Sequence, residues 1–350
     1  MITMNTQPNP HQAETWDALL VQNPDGGNVF QSQEMAETKR RGGWTPRYLM
    51  IDEKAVTVLE KRVPLLGNYW YIPKGPGVTG VSQIIDLLPS LRKNAKQAGV
   101  FVVKMEPELL ESDQTKAALR EAGLGPTAAV QPNVSTVLLD LSPPIDEVMA
   151  NLNQKGRHAI RRAERDGVIA APVELTEENM RLMYDLLRNT AAGRFESSIR
   201  DYEYYREFWT AFAKTGRGQL FFAHFEGKLV AGAYCMYLGK KGLYKDGASI
   251  REKTAYGASH LLQWEVIKWM KEHGVESYDF CGAPHSSRIN DESHKFYGVG
   301  RFKTSFNKTV TDYVGCYDLI ISPTKYAFWR RFGQRIAVSL EWRLKRRQWF

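Results

Sequence analysis

FVVKMEP at residues 101–107 and YDFCGAP at residues 278–284 decide the fold class, because each contains a predicted strand that closes the same series of elements. Each follows a helix, three antiparallel-looking strands, a break that contains glycine, and an amphipathic helix. The two stretches match in position more than in letters. A plan that recurs at this scale indicates an internal duplication. The sequence therefore predicts an α/β (α+β) protein built from two copies of one module, with a ligand cleft between or across them.

The length of 350 residues also favours two domains, since it exceeds the usual size of one. Ser142-Pro143-Pro144 is the clearest break in the pattern, and we place the start of the second domain at residue 142. A new helical region is expected to begin at residues 145–165, directly after this break.

The composition is that of an ordinary globular protein, with 43% apolar and 25% charged residues. Three widely spaced cysteines, Cys235, Cys281 and Cys316, argue against a disulfide framework and fit a reducing compartment. Residues 1–13 have no apolar core of a signal peptide, and the apolar run at residues 229–238 is too short to span a bilayer. A cytoplasmic protein is therefore expected.

The basic charge is concentrated at the end of the chain. Residues 325–350 hold eight cations and one carboxylate, a net +7 of the total +8. Aromatic and aliphatic residues are interspersed among these cations, as in a helix that lies on a membrane surface or binds an acidic partner. A helix that docks on its own domain through its aromatic residues, with its cations outward, fits the same pattern.

Two further basic stretches have open interpretations. NLNQKGRHAIRRAERDGV at residues 151–168 is either a solvated helix face with local carboxylate partners or a surface for phosphates. NTAAGRFESSIRDYEYYR at residues 189–206 leads from a loop into a helix, where Arg200 and Tyr204 are four residues apart and share a face. The arginine could bind a diphosphate and the tyrosine could stack on a base. Packing within the protein explains the pair equally well.

The stretch KFYGVGRFKTSFNKTVTDYVGCYD at residues 295–318 begins with cations and aromatic residues around two glycines, Gly298 and Gly300. We expect the chain to become extended after the second glycine, so that Phe302 points to one face and Lys303 to the other. Lys303 is then either a surface charge or a cation in a cleft that meets negative charge developing on a substrate.

Two familiar kinds of site are not favoured. Cys281 with His285 and His294 fits no metal spacing, and a lone cysteine at the end of a strand is usually a small buried residue. The run TAYGAS at residues 254–259 stands where an acyl-CoA N-acetyltransferase binds pyrophosphate at a helix N-terminus, but it has one glycine and lacks the usual preceding Arg or Gln. The acetyltransferase-like module is expected to lack a CoA site.

Taken in order, these stretches resemble the FemABX family of aminoacyltransferases, which build the interpeptide bridge of peptidoglycan. The resemblance covers about residues 30–323 and is strongest in NLNQKGRHAIRRAERDGV, IRDYEYY, YGASHLLQWEVIKWMKEHGVESYDFCGAP and FYGVGRFKTSFNKTVTDYVGCYDL. It implies two tandem GNAT-like domains, here in the compact form without a coiled-coil insertion. The second domain would cover residues 142–314, and residues 315–350 would return to the first domain, residues 1–141.

The same resemblance implies the activity and the site residues. The donor would be aminoacyl-tRNA, with no cofactor, and the acceptor UDP-MurNAc-pentapeptide or lipid II. A monomer at the inner face of the membrane is expected. The implied catalytic residues are Lys303 and Phe302, and the implied substrate-binding residues are Lys39, Arg200, Tyr204, Tyr244, Glu106 and Asp318. Glu106 and Asp318 replace a family aspartate and a family glutamate, respectively, which alters their reach.

Two other functions remain as alternatives at this point. One is a CoA-dependent N-acyltransferase on the same fold, which the incomplete phosphate loop disfavours. The other is a non-catalytic module that binds tRNA or an anionic membrane through the basic C-terminal segment.

Overall fold

The computed structural model describes residues 4–5, 16–192, 199–250, 255–345 and 349–350. The chain divides into two compact units. The first comprises Met1–Val134 with Asp312–Phe350, and the second comprises Ser135–Thr311.

Both units contain strands and helices. The strands are β1 (Met4–Asn5), β2 (Thr45–Ile51), β3 (Lys54–Val63), β4 (Gly67–Ile72), β5 (Val100–Met105), β6 (Leu124–Thr127), β7 (Ser135–Asp140), β8 (Ile169–Val173), β9 (Gly218–Phe225), β10 (Lys228–Leu238), β11 (Lys241–Ser249), β12 (Ser277–Gly282), β13 (Thr311–Asp312) and β14 (Cys316–Ile320). The α-helices are α1 (Trp16–Val21), α2 (Gln33–Thr38), α3 (Val81–Gln97), α4 (Asp113–Glu121), α5 (Ile145–Asn151), α6 (Gln154–Arg165), α7 (Glu177–Ala191), α8 (Tyr202–Lys214), α9 (Ala258–Glu272), α10 (Tyr297–Lys303), α11 (Pro323–Phe328) and α12 (Gln334–Lys345).

The first sheet has the order β1-β2-β3-β4-β5-β14-β6. Strands β2, β3 and β4 form an antiparallel meander, and α3 then carries the chain across to β5, which lies parallel to β4. Helix α3 buries Ile84, Leu87 and Leu91 against this sheet, because these residues recur at helical spacing on one face. Strand β14 lies between β5 and β6 and is antiparallel to both.

The second sheet repeats this plan in the order β13-β7-β12-β11-β10-β9-β8. Strands β9, β10 and β11 form the meander, and α9 leads to β12. Strand β12 pairs parallel with β11 over only three residues, Ser277 to Asp279. The two strands then stop pairing, and the candidate site described below lies at the end of β12. The repeated plan confirms the α/β fold with duplicated modules.

One prediction about local structure is wrong. Lys303 does not follow a glycine turn into a strand, since it is the last residue of helix α10. The helical region expected at residues 145–165 is two helices, because Leu152 is extended and the side chain of Asn153 caps α6 by accepting from Lys155 N. Short strands β6 and β8, each at the edge of a sheet, are additional to the predicted elements.

Candidate active site

The site is built on a bulge at the end of β12. The pairing of β12 with β7 shifts register between Asp279 and Gly282, and Cys281 adopts a left-handed conformation with φ 62°. Few residues other than glycine adopt this conformation, so neighbouring groups must hold it. The carboxylate of Asp279 accepts from Cys281 N at 2.6 Å, and the hydroxyl of Thr136 donates to Cys281 O at 3.0 Å. The bulge thereby fixes the direction of the backbone carbonyls of Cys281 and Gly282.

Both carbonyls accept hydrogen bonds from the ammonium group of Lys303, at 3.0 Å from Cys281 O and 2.7 Å from Gly282 O. Lys303 is 7% exposed. Burial lowers its pKa below the ordinary lysine value, while nearby Cys281 and Asp279 act in the opposite direction. An ammonium group has three donors, and two of them have partners among the described residues. The third has no hydrogen-bond partner among the described residues.

Helix α10 positions Lys303 through close packing at Gly300. A β-carbon at Gly300 would lie 2.8 Å from side-chain atoms of both Pro284 and Ile289. The ring of Tyr244 lies on another side of the lysine, with its centroid 6.0 Å from Nζ. The hydroxyl of Tyr244 occupies the space above Gly247, where a β-carbon would lie 1.6 Å away. These contacts require glycine at both positions.

His260 packs among aromatic residues of the segment that carries Lys303. The imidazole of His260 lies between the rings of Phe302 and Phe306, with centroid distances of 4.9 Å and 5.6 Å. Its Nε2 hydrogen-bonds the hydroxyl of Ser305 at 3.0 Å. Burial lowers the pKa of His260 from 6.5 to about 4, so the ring is neutral at pH 7.

This lowered pKa has a measurable consequence for stability. Between pH 6.5 and pH 4 the unfolded chain protonates His260 and the folded chain does not, so the free energy of unfolding falls as the pH falls. We expect this residue to account for up to about 3 kcal/mol of that loss. Urea denaturation at pH 7, 6, 5 and 4.5 measures it, and His260→Gln should flatten the profile.

The exposed His273 provides the control. His273→Gln should retain the pH profile of the unsubstituted chain, since the expected loss comes from His260. A His260→Gln variant with an unchanged slope between pH 6.5 and pH 4.5 would contradict this assignment.

Arg200 and Tyr204 lie together at the start of α8. Asp201 caps this helix by accepting from Tyr204 N at 2.8 Å, and the guanidinium carbon of Arg200 lies 4.7 Å from the centroid of the Tyr204 ring. Tyr204 also stacks on Phe208, at a centroid distance of 6.1 Å. The structure thus brings the predicted pair into one cation–π contact.

A charged pair that sequence analysis missed, Lys245 and Asp246, connects this region to the bulge. Lys245 Nζ lies 3.0 Å from the Asp246 carboxylate, which also accepts from Trp209 Nε1 at 3.0 Å. Burial acts to lower the pKa of Lys245, but Asp246 and then Tyr204 raise it above its usual value. Lys245 in turn acts to lower the pKa of Cys281. The charges of these residues therefore influence one another. The signal in the sequence was a pair of adjacent opposite charges inside the predicted strand at residues 243–248.

The other predicted residues, Lys39, Glu106 and Asp318, lie in the first unit. Lys39 begins a 3₁₀ turn, Lys39–Gly42, and is half-buried. Glu106 is buried and accepts from Tyr71 Oη at 2.5 Å and from two backbone amides. Asp318 is buried beside Lys104 at 3.1 Å and accepts from Tyr326 Oη at 2.8 Å. Glu106 thus joins the first sheet to the loop that follows β6, and Asp318 joins it to helix α11.

Other chemistries receive little support from the described residues. Burial raises the pKa of the Cys281 thiol above its usual value, so the thiol is protonated at neutral pH. Within the described ranges, no group of three or more His, Cys, Asp or Glu could hold a metal ion. Gly257, which caps α9, is approached by the carbonyl of Ala159, and a β-carbon there would lie 2.2 Å from that oxygen. Thr254 of the predicted phosphate loop lies outside the described residues.

Comparisons with known proteins identify similar chains and folds. Residues 150–295 match the family model described as an acetyltransferase (GNAT) domain. A lipid II:glycine glycyltransferase of Staphylococcus aureus (strain MRSA252) is 22% identical over an alignment of 419 positions, which covers 95% of this chain and 97% of the relative.

Two solved structures show the same fold. FemX superposes with a TM-score of 0.77 at 20% identity, covering 92% of this chain and 98% of that chain. A tandem GNAT protein from the clavulanic acid biosynthesis pathway superposes with a TM-score of 0.51 at 12% identity, covering 92% and 99%. The tandem GNAT fold and the resemblance to FemX are confirmed. The longest helix in the described ranges, α3, has 17 residues, in keeping with the compact form.

Proposed function

We propose that this protein is an aminoacyltransferase of peptidoglycan bridge synthesis. The chain is homologous to lipid II:glycine glycyltransferases and is an acyltransferase. It transfers an amino acid from aminoacyl-tRNA to the side-chain amine at the third position of the stem peptide. The acceptor is lipid II or UDP-MurNAc-pentapeptide, and the chain acts as a monomer without a cofactor. The observation that carries this proposal is the buried Lys303, held on two carbonyls with one donor remaining.

The reaction fits such a site because an aminoacyl ester is already activated. The acceptor amine attacks the ester carbonyl, a C–N bond forms, and the ester C–O bond breaks. The amine loses one proton, and the ribose hydroxyl of the tRNA gains one as it leaves. The third donor of Lys303 stabilises the oxyanion of the tetrahedral intermediate, and positioning supplies much of the remaining rate. No covalent enzyme intermediate is needed.

Arg200 is proposed to bind the diphosphate of the acceptor. Its guanidinium offers paired donors that suit phosphate oxygens, and the contact with Tyr204 orients it. Tyr244 contributes to the wall of the same site beside Lys303. Lys39 is a further proposed diphosphate contact. Glu106 and Asp318 are proposed to act on substrate indirectly, by supporting the first sheet.

A second part of the proposal concerns the C-terminal helices. Trp329 is buried against Tyr69 and Phe101 of the first sheet. Phe328, Phe332, Ile336 and Leu340, spaced four residues apart, remain about half exposed among the cations of this segment. Exposed apolar side chains beside cations suit the surface of an anionic bilayer. Within the described ranges, no helix has the length and apolarity needed to cross a bilayer. We propose peripheral binding to the inner membrane face.

Polar substitution of the half-exposed apolar residues in the C-terminal helices should affect transfer to the lipid-linked acceptor more than transfer to the soluble acceptor. We expect Phe332→Ser/Ile336→Ser/Leu340→Ser to lower binding to vesicles containing anionic phospholipid, and to lower kcat/KM for lipid II by on the order of tenfold or more. Transfer to the soluble UDP-linked acceptor should be unchanged, because Trp329 still docks the helix. Leu65→Ser/Leu110→Ser, two exposed leucines elsewhere, is the control. Equal losses with both acceptors would count against a membrane role.

The function itself is tested with purified protein and a pool of tRNA charged with labelled amino acids. Label should move to lipid II or to UDP-MurNAc-pentapeptide, and mass spectrometry should place it on the third residue of the stem peptide. Acetyl-CoA is tested as an alternative donor in a parallel assay. Transfer from acetyl-CoA in place of aminoacyl-tRNA would establish the CoA-dependent alternative, and no transfer from either donor would leave a non-catalytic binding module.

A further inference from the structure

We propose that the outer face of helix α6 is a docking surface for RNA phosphates, which holds the stem of the aminoacyl-tRNA donor. An open groove of about 350 Å³ runs along this face, lined by Gln154, Arg157, His158, Arg161, Arg162 and Arg165. These positions recur at intervals of three and four residues, so one side of a single helix carries them all. The proposal rests on aminoacyl-tRNA being the donor.

The inner face of α6 connects this groove to the catalytic lysine. Gly156 lies so close to the backbone of Ser305 that a β-carbon would be 2.3 Å from Ser305 O. The side-chain amide of Asn153 donates to Thr304 O at 3.2 Å. Thr304 and Ser305 directly follow Lys303, so α6 packs on the segment that carries the lysine. An RNA held on the outer face is therefore one helix thickness, about 10 Å, from that segment.

The charges on the groove are only partly neutralised. Asp166 lies 3.1 Å from Arg162 and 3.9 Å from Arg165. Arg157 donates to backbone carbonyls, including Ala150 O at 2.5 Å. Arg161 is exposed and has no ion pair among the described residues. From Arg157 to Arg165 the helix rises about 12 Å, so the cations form an extended stripe suited to a polyanion.

An aromatic ring at the edge of the groove favours RNA over a lipid surface. Tyr256 is 52% exposed and lies under the guanidinium of Arg162, at 4.8 Å from the ring centroid. The ring of His158 lies 6.3 Å from it. Aromatic rings beside arginines are used to stack bases of single-stranded RNA, such as an acceptor end. Helix α6 itself exposes no large apolar side chain, unlike α12, where Ile336 and Trp342 are half exposed.

Charge reversal on this face tests the proposal without requiring catalysis. The dissociation constant of fluorescently labelled tRNA is measured by anisotropy at several salt concentrations for Arg161→Glu/Arg165→Glu. We expect affinity to fall tenfold or more, and the slope of log K against log salt to decrease by roughly 1.5 to 2, as two phosphate contacts are lost. Lys214→Glu/Lys228→Glu, an equal charge change at two exposed lysines of the same unit, should leave affinity within twofold.

Transfer assays then test whether RNA binding at this surface is needed for use of aminoacyl-tRNA as the donor. The Arg161→Glu/Arg165→Glu variant should use aminoacyl-tRNA poorly but retain its kcat/KM for a short aminoacylated trinucleotide that lacks the stem. An unchanged tRNA affinity, an equal loss in the lysine control, or a loss of anionic-vesicle binding with tRNA binding intact would each overturn the proposal. If tRNA binding falls as expected but no variant transfers an amino acid, the docking surface stands and the proposed function fails.

Discussion

Lys303→Met is expected to lower aminoacyl transfer by about a hundredfold to a thousandfold while the protein remains folded. Methionine keeps the length of the side chain but removes the donor that faces the developing oxyanion. The effect should appear in kcat more than in KM, because the interaction strengthens in the transition state. Single-turnover transfer from charged tRNA at saturating acceptor measures it.

The stability of the Lys303→Met variant must be measured as well as its activity. Gly282 O loses its donor and Cys281 O keeps only the Thr136 hydroxyl, which we expect to cost about 1–3 kcal/mol. Circular dichroism and urea denaturation separate this loss from catalysis. Lys308→Met, five residues later at an exposed position, is the control and should retain full activity. A Lys303→Met variant that transfers within threefold of the unsubstituted rate would remove the lysine from the reaction.

Gly156→Ala is expected to cost about 3 kcal/mol or more of the free energy of unfolding, at the upper end of overpacking effects. The added methyl group meets the backbone oxygen of Ser305 at 2.3 Å, and a backbone atom has less freedom to move away than a side chain. Because Ser305 follows Lys303 by two residues, the displacement should also lower transfer in the protein that remains folded. Chemical denaturation and transfer kinetics measure the two effects.

Gly298→Ala on α10 is the matched control, since a β-carbon there meets no atom within 4 Å. Its expected change is neutral to stabilising by up to about 1 kcal/mol, as alanine favours a helix. If Gly156→Ala were as stable as Gly298→Ala, the close contact between α6 and the segment after Lys303 would not exist in solution.

Helices and strands in which apolar residues recur at regular spacing could be predicted from the sequence. The spacing of apolar residues in Tyr202–Lys214 indicated a helix with the observed bounds, and the meander of β9, β10 and β11 was visible as three separate apolar runs. The repeat of that plan in both halves then identified the fold. Local pattern and tertiary structure agree in these parts of the chain.

The surroundings of Lys303 could not be predicted in the same way. Helix α10 has seven residues and two glycines, so its propensity is low and packing of Gly300 on Pro284 and Ile289 stabilises it. The bulge at Cys281 depends on Asp279 and Thr136, which come from two strands far apart in the chain. The contact of His260 with Ser305 spans 45 residues. Such long-range contacts leave no period in the sequence.

Lys303 is proposed to promote the addition of an amino acid to a peptidoglycan precursor. The most direct test is the mass of muropeptides from cells that lack this protein and carry either the unsubstituted gene or the Lys303→Met gene. We expect a bridge residue to be missing without the gene, to return with the unsubstituted gene, and to remain missing with Lys303→Met at equal protein abundance. Muropeptides of identical mass in all three strains would contradict the claim.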